Sequence, residues 1–347
     1  MQHNRPVMKT IRLFILCGFL LLFTAGKLSA QFGSPLLTYK NDVPTQKECT
    51  EITSRKLIIM MQRWDLDKVD EFKRKKEFSE LEEYKDNCTA YSEAYIQFIK
   101  EKWSLHDTFE VKSFKQVKDL YETGATDYVV LALTHITVTK DSENKNQFTL
   151  DYAYSGNEAT MDAGGFNVQD FKSLVLFPIE QLNELESTFT KMYVGISMIH
   201  QVPTKEDIYY GIDAMNDIVK RKAADNKFTD NTIKQTAPKL KDYTLAISKK
   251  DWDDYIAVKD AQVYYPYPIE VMEQEQFNKL ITEGAAGYAY ALKVGNWFGI
   301  IYSDTKEIAY MSAPIDIPVK KTTPQFSLRD FNKINEAITG TKIDFKE

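Results

Sequence analysis

The chain has 347 residues, with 44 basic and 50 acidic side chains, a formal net charge of −6 and three cysteines. That length is enough for two separately cored domains. The acid excess argues against nucleic acid or anionic lipid as a general partner.

Residues 1–30 read as an export signal. Arg5, Lys9 and Arg12 supply a positive leader, Leu13 to Ala25 is an almost unbroken apolar run, and Leu28-Ser29-Ala30 is a cleavage site before Gln31. The apolar run is shorter than the ~20 residues a membrane-spanning helix needs. No later stretch is long and apolar enough to span, so the mature protein is predicted to lack a membrane span and to be periplasmic or secreted. Cys17 lies mid-signal behind the bulky Phe14-Ile15-Leu16, which does not suit a lipidation site. Removing the signal takes away four basic residues and no acidic ones, leaving 40 against 50 and a net charge of −10.

Residues 31–55 are predicted to be a loose N-terminal arm, and residues 56–200 a first α/β domain. Leu57–Met61 is the first strand candidate. Residues 62–103 are helical in character, with Tyr91, Tyr95, Phe98 and Ile99 as a buried stripe leading to Trp103. Glu110–Tyr128 follows, and it recurs as Glu270–Tyr288: Glu, Val, Gln, Leu, Gly, Ala and Tyr coincide at seven positions without a gap. Each copy predicts a short strand, an amphipathic helix, a helix-stopping glycine (Gly124 or Gly284) and a second strand. Residues 128–154 predict a β-hairpin whose polar tip, Lys140–Asn146, lacks the central glycine and final glutamate of a calcium loop. Phe171–Phe177 predicts a strand, and a helix is expected from about Ile179 to Ile199.

Residues 201–240 are expected to be a helix and linker. Thr204 caps the helix, acidic residues fill its first turn and basic ones its last, and Ile208, Ile212, Met215 and Ile218 form its buried stripe. A second α/β domain spans 241–347. It opens on a strand at Tyr243–Ile247, and Tyr264-Tyr265-Pro266-Tyr267-Pro268 ends its first helix. The second repeat copy, two strands (Trp297–Ser303 and Ile308–Ser312) and a closing helix (Ser327–Ile338) complete it. The predicted fold is thus two tandem related α/β domains, each a mixed sheet with helices in β-α-β-α-β-β-α order.

That order is similar to a thioredoxin-like topology, although no Cys-x-x-Cys is present and the second half has no cysteine. With the leader, the strand RKLIIMM, the Trp-terminated helix Ala94–Trp103 and the YYPYP step, the chain also resembles exported proteins of unassigned function from the Bacteroidota. That resemblance implies an envelope location and brings no catalytic residues with it.

Few residues invite chemistry. Cys49 and Cys88 remain after signal removal; in an oxidising compartment they form either a disulfide tying the arm to the first domain or two separate thiols. Four histidines lie far apart, and Asp251, Asp253 and Asp254 cluster without a histidine or distant carboxylate paired to them. No nucleophile elbow, phosphate loop or dinucleotide fingerprint occurs, and no metal or cofactor is called for. Three readings stay open: a non-catalytic binding or assembly protein of the envelope, an envelope hydrolase with a site assembled from separated residues, and a carbohydrate-binding protein using Tyr264, Tyr265, Tyr267 and Trp297 as an aromatic surface. The partner is an envelope protein or a carbohydrate.

Overall fold

The computed structural model describes residues 44–140, 146–154, 168–182, 193–197, 203–228, 236–294, 297–312, 325–341 and Ile343. The stretch read as an export signal, most of the predicted arm and residues 141–145 of the predicted hairpin tip lie outside the described residues. The fold is mixed α/β with two mixed sheets.

The first sheet has the order β3-β1-β4-β7-β8, from β1 (Lys56–Met60), β3 (Phe109–Lys112), β4 (Tyr128–Lys140), β7 (Val168–Pro178) and β8 (Val194–Ser197). β1 is parallel to both β3 and β4, while β4, β7 and β8 run antiparallel in succession. β5 (Asn146–Asp151) forms the expected hairpin with β4. A small parallel pair joins β2 (Arg63–Trp64) to β6 (Ala153–Tyr154). The helices are α1 (Gln46–Ser54), α2 (Leu66–Lys75), α3 (Phe78–Lys102) and α4 (Phe114–Glu122).

The second sheet has the order β10-β9-β11-β12-β13, from β9 (Thr244–Ser248), β10 (Ile269–Met272), β11 (Tyr288–Val294), β12 (Trp297–Tyr302) and β13 (Ile308–Met311). β9 is parallel to β10 and β11, and the remaining pairs are antiparallel. α5 (Lys205–Ala224) precedes it; α6 (Val258–Tyr264), α7 (Gln274–Glu283) and α8 (Leu328–Thr339) belong to it.

Strand side chains alternate between sheet faces, and this sorts the core. In the first sheet, Ile58, Met60, Val130, Val175 and Phe177 face α4 through Val117. Leu57, Ile59, Val129, Leu131, Leu174 and Val194 face α1, α3 and α5. That second cluster continues without a break into Ala246, Phe277, Ile281, Tyr290, Ile301 and Ile308 of the second half. The far face of the second sheet packs Leu245, Ile247, Ala289 and Ile300 against α6 and α8.

Three stretches differ from expectation. The arm is helical near its end, because Thr45 and Glu48 form a reciprocal capping box and Cys49 and Ile52 are buried on one side of α1. Of the helix expected over 179–199, a 3-10 turn, Ile179–Gln181, is followed by a helical Leu182, residues 183–192 lie outside the described residues, and 194–197 form the strand β8, where alternating Val194 and Ile196 reach the core. α5 is not a one-sided helix beside a linker. Besides its apolar stripe, Asp207, Asp213, Asn216, Asp217 and Lys222 are also buried.

Gly124 (φ +76°) and Gly284 (φ +79°) follow α4 and α7 in backbone conformations that favour glycine. At Gly124 the amides of Gly124 and Ala125 bond the carbonyls of Tyr121 and Leu120, and the space a Cβ would take is open. At Gly284, with ψ 157°, a Cβ would stand 2.7 Å from the Ser303 carbonyl oxygen. Gly124→Ala is therefore expected to cost about 1 kcal/mol and Gly284→Ala about 3 kcal/mol, backbone strain and steric overlap adding there. Urea denaturation of both variants, compared at equal m-value, checks the difference.

Candidate functional site

Two neighbouring features lie along the seam where α5 meets the second sheet. The first is a cleft of about 220 Å³ lined by Glu206 and Asp207 of α5, Lys250 and Asp251 after β9, Gln274, Asn278 and Ile281 of α7, and Leu292 of β11. Each contribution from the second sheet comes from the carboxyl end of a parallel strand or the segment after it. Local sequence positions these walls. Thr204 and Asp207 cap α5 reciprocally. On the other side the Ser248 hydroxyl donates to Gln274 Oε1 at 2.7 Å, and the Gln274 amide donates to Asn278 Oδ1 at 2.6 Å. Phe277, 1% exposed, forms the apolar floor.

The second feature sits further along α5, where the last turn of α7 ends. Two lysines from different halves cap α7: Lys102, the last residue of α3, donates to the Thr282 carbonyl at 3.2 Å, and Lys306 donates to the Ile281 carbonyl at 3.0 Å. Cations suit the carbonyl end of a helix. Lys306 takes a left-handed conformation (φ +62°) in the β12–β13 turn and lies 5.5 Å from the Tyr290 ring centre. Burial pulls its ammonium below the usual lysine range, against the opposing pull of Asp213.

Asp213 is the anion of this cluster. It is 6% exposed, and its Oδ2 has no hydrogen-bond partner among the described residues. Burial pushes its carboxyl up to about 6, with Lys102, Lys306 and Lys220 pulling the other way. One turn on, Asp217 Oδ2 accepts the Ile308 amide at 3.0 Å, tying α5 to the first residue of β13, and pairs in charge with the Arg221 guanidinium at 3.3 Å; burial pushes it too up to about 6. The Asn216 amide donates to the Lys102 carbonyl at 3.2 Å. On the surface nearby, the Tyr209 hydroxyl donates to Glu101, which also pairs with Lys205 at 3.0 Å; these bonds hold the Glu101 carboxyl down at about 2.

Of the residues singled out by sequence, Asp251 lines the cleft and the others fall elsewhere. Tyr265 is fully buried against Tyr267 and the α8 side of the second sheet, and Tyr264 and Tyr267 pack partly onto the same cluster. These three therefore do not make a flat exposed strip, because the kink at Pro266 turns Tyr265 into the core. Trp297 opens β12, and its side chain lies outside the described residues. Asp251 is buried, Asp253 accepts the Tyr255 amide and Asp254 is exposed; among the described residues no cluster suited to a metal ion occurs. His106 accepts the Trp103 indole N–H and bonds the Ile52 carbonyl, joining the end of α3 to α1. The Cys49–Cys88 bridge is not formed. Cys49 lies in the inner core beneath α1, and Cys88 lies in a separate cluster with Val69, Leu81, Tyr84 and Tyr154.

Lys102, Asp213, Lys306 and the α7 wall of the cleft were not singled out by sequence. The one local signal was the polar set Asp213, Asn216 and Asp217 at helical spacing, which on an ordinary helix is its solvated side. No protein-family model, curated protein or solved structure matches this chain.

Burial sets the thiol chemistry. It pushes the Cys49 thiol up to about 12 and the Cys88 thiol to about 11, far from the thiolate that reacts. Iodoacetamide at neutral pH is expected to leave both unlabelled in the folded protein and to label both in denaturant without reductant. Peptide mass spectrometry reads this directly, and a disulfide-linked peptide pair would contradict it.

Proposed function

We propose that the protein is an exported, non-catalytic binding protein of the cell envelope, built of two tandem related α/β units, whose ligand occupies the cleft between α5 and the second sheet. The observation that carries this reading is the position of the cleft. Open α/β sheets take ligands at the carboxyl ends of their parallel strands, where helices leave to opposite faces. The cleft sits at that place on β9, β10 and β11, with α6 and α7 on opposite faces of the sheet. It adds a wall from α5, so a ligand there contacts both that helix and the second sheet.

Relatedness of the units is supported by register as well as by the seven coincident residues. In the first sheet Ile58 pairs with Glu110 on one side and Val130 on the other. In the second, Ala246 pairs with Glu270 and Tyr290. The sequence spacing that superposes Glu110 on Glu270 also superposes Val130 on Tyr290, so both copies enter their sheets at the same register. Export is supported by the leader pattern of residues 1–30.

Envelope extract from the native host, fractionated by size, is the ligand source for the test. A fraction of small molecules or short polymers is expected to raise the melting temperature of the wild-type protein by several degrees. Asn278→Trp, which fills the cleft from a half-exposed position, should abolish that shift while leaving the melting temperature without ligand unchanged. Equal shifts in both proteins would place the ligand elsewhere. Substrate turnover that survives purification would favour the hydrolase reading instead.

A further inference from the structure

Two polar walls of opposite character border the cleft between α5 and the second sheet, and bonds made beside the cleft fix what each can offer. On the α7 side the donors run one way. The Lys250 amide donates to Ser248 Oγ at 3.3 Å, the Ser248 hydroxyl to Gln274 Oε1 at 2.7 Å, and the Gln274 amide to Asn278 Oδ1 at 2.6 Å. With Oδ1 engaged, what Asn278 chiefly has left is the pair of N–H donors on Nδ2. Those donors have no partner among the described residues, and the half-buried Asn278 lines the cleft. Lys250 adds positive charge on the same side.

The α5 wall is an acceptor wall. Its half-buried Glu206 makes no hydrogen bond or ion pair among the described residues. Asp207 and Asp251 also line the cleft but are buried, and Asp207 Oδ2 already accepts the Thr204 amide at 2.8 Å and the Thr204 hydroxyl at 3.2 Å. The rest of the lining, Phe277, Ile281 and Leu292, is buried and apolar. Size narrows the choice further. A cavity of roughly 150 Å³ takes one benzene molecule. In proportion, the cleft of about 220 Å³ takes a ligand of about nine non-hydrogen atoms, short of the ~300 Å³ and more of pockets for drug-sized molecules.

Building on the placement of the ligand in this cleft, we propose that the ligand is a small amino-carboxylate with an apolar body, of the size of leucine. Its ammonium group pairs with Glu206, its carboxylate accepts from Asn278 Nδ2 beside Lys250, and its hydrocarbon part covers Phe277, Ile281 and Leu292. A ligand carrying only one of the two charges would desolvate the opposite wall without compensating it, and that cost sets the selectivity.

Calorimetric titration of the wild-type protein tests this with named probes. The zwitterions are leucine, valine and methionine, with 6-aminohexanoate as the arm that separates the two charges. The single-charge analogues are 3-methylbutylamine, which lacks the carboxylate, and 4-methylpentanoate, which lacks the ammonium group. At least one zwitterion is expected to bind about tenfold or more tightly than either analogue. Asn278→Asp keeps an acceptor for the Gln274 amide but replaces the free donor with a carboxylate. It should lose the zwitterion and favour 3-methylbutylamine instead, and Glu206→Gln should lose the zwitterion without gaining the amine. A preference that reverses in this way is not produced by a merely structural loss. An analogue that binds wild type as tightly as the best zwitterion would overturn the proposal, as would an unchanged preference in Asn278→Asp. If no zwitterion binds while an extract fraction still shifts wild type and not Asn278→Trp, the ligand class is wrong and the cleft stands. A zwitterion that binds Asn278→Trp as tightly as wild type would overturn both.

Discussion

The structure depends on burying α5 on nearly all sides between two sheets. A surface helix needs one apolar stripe, but a helix enclosed on both sides must also find partners for its polar positions. α5 does so by reaching into both halves, Asn216 to the end of α3 and Asp217 to the start of β13, while Lys222 bonds the carbonyls of Asn226 and Phe228 just past its own end. The approach is close. Gly299 of β12 is glycine because a Cβ there would run into the Tyr210 hydroxyl of α5. Asp213 is the position where the matching is by charge at a distance and not by contact.

The helices that close the pile on its outer sides are built differently. α8 buries Phe331 and Ile334 but leaves Arg329 and Glu336 exposed. α4 buries Val117 and leaves Lys115, Lys118, Asp119 and Glu122 exposed. Their amphipathic character is that of surface helices, while the central helix carries apolar and compensated polar groups all round. Polar outer faces of this kind end a stack of layers, as capping units do in repeat proteins.

Much of the scaffold was legible because its signals are local. Thr204 with the acidic turn after it, and the glycines after α4 and α7, mark helix ends within four residues of sequence. α1 was missed because a nine-residue helix with two buried side chains carries too little periodicity to read. β8 was missed because four residues of strand follow a stretch whose apolar spacing also fits a helix. The seam was not legible, and of the cleft only the acidic first turn of α5 and Asp251 carried a signal. Their residues come from α3, α5, the segment after β9, α7, β11 and the β12–β13 turn, and a buried Asp213 looks in sequence like any solvated aspartate.

The partners that finish the inner core are far apart along the chain. The Gln46 side chain bonds the Ala223 carbonyl across 177 residues, and Lys102 bonds Thr282 across 180. Such contacts reward the chain only after a large loop has closed, so they slow folding relative to a protein of equal size with local contacts. α1 and the inner face of the first sheet stay unfinished until residues 205–224 arrive. The two sheets therefore do not mature one after the other, and the first half, released alone, would present the apolar surface that α5 normally covers.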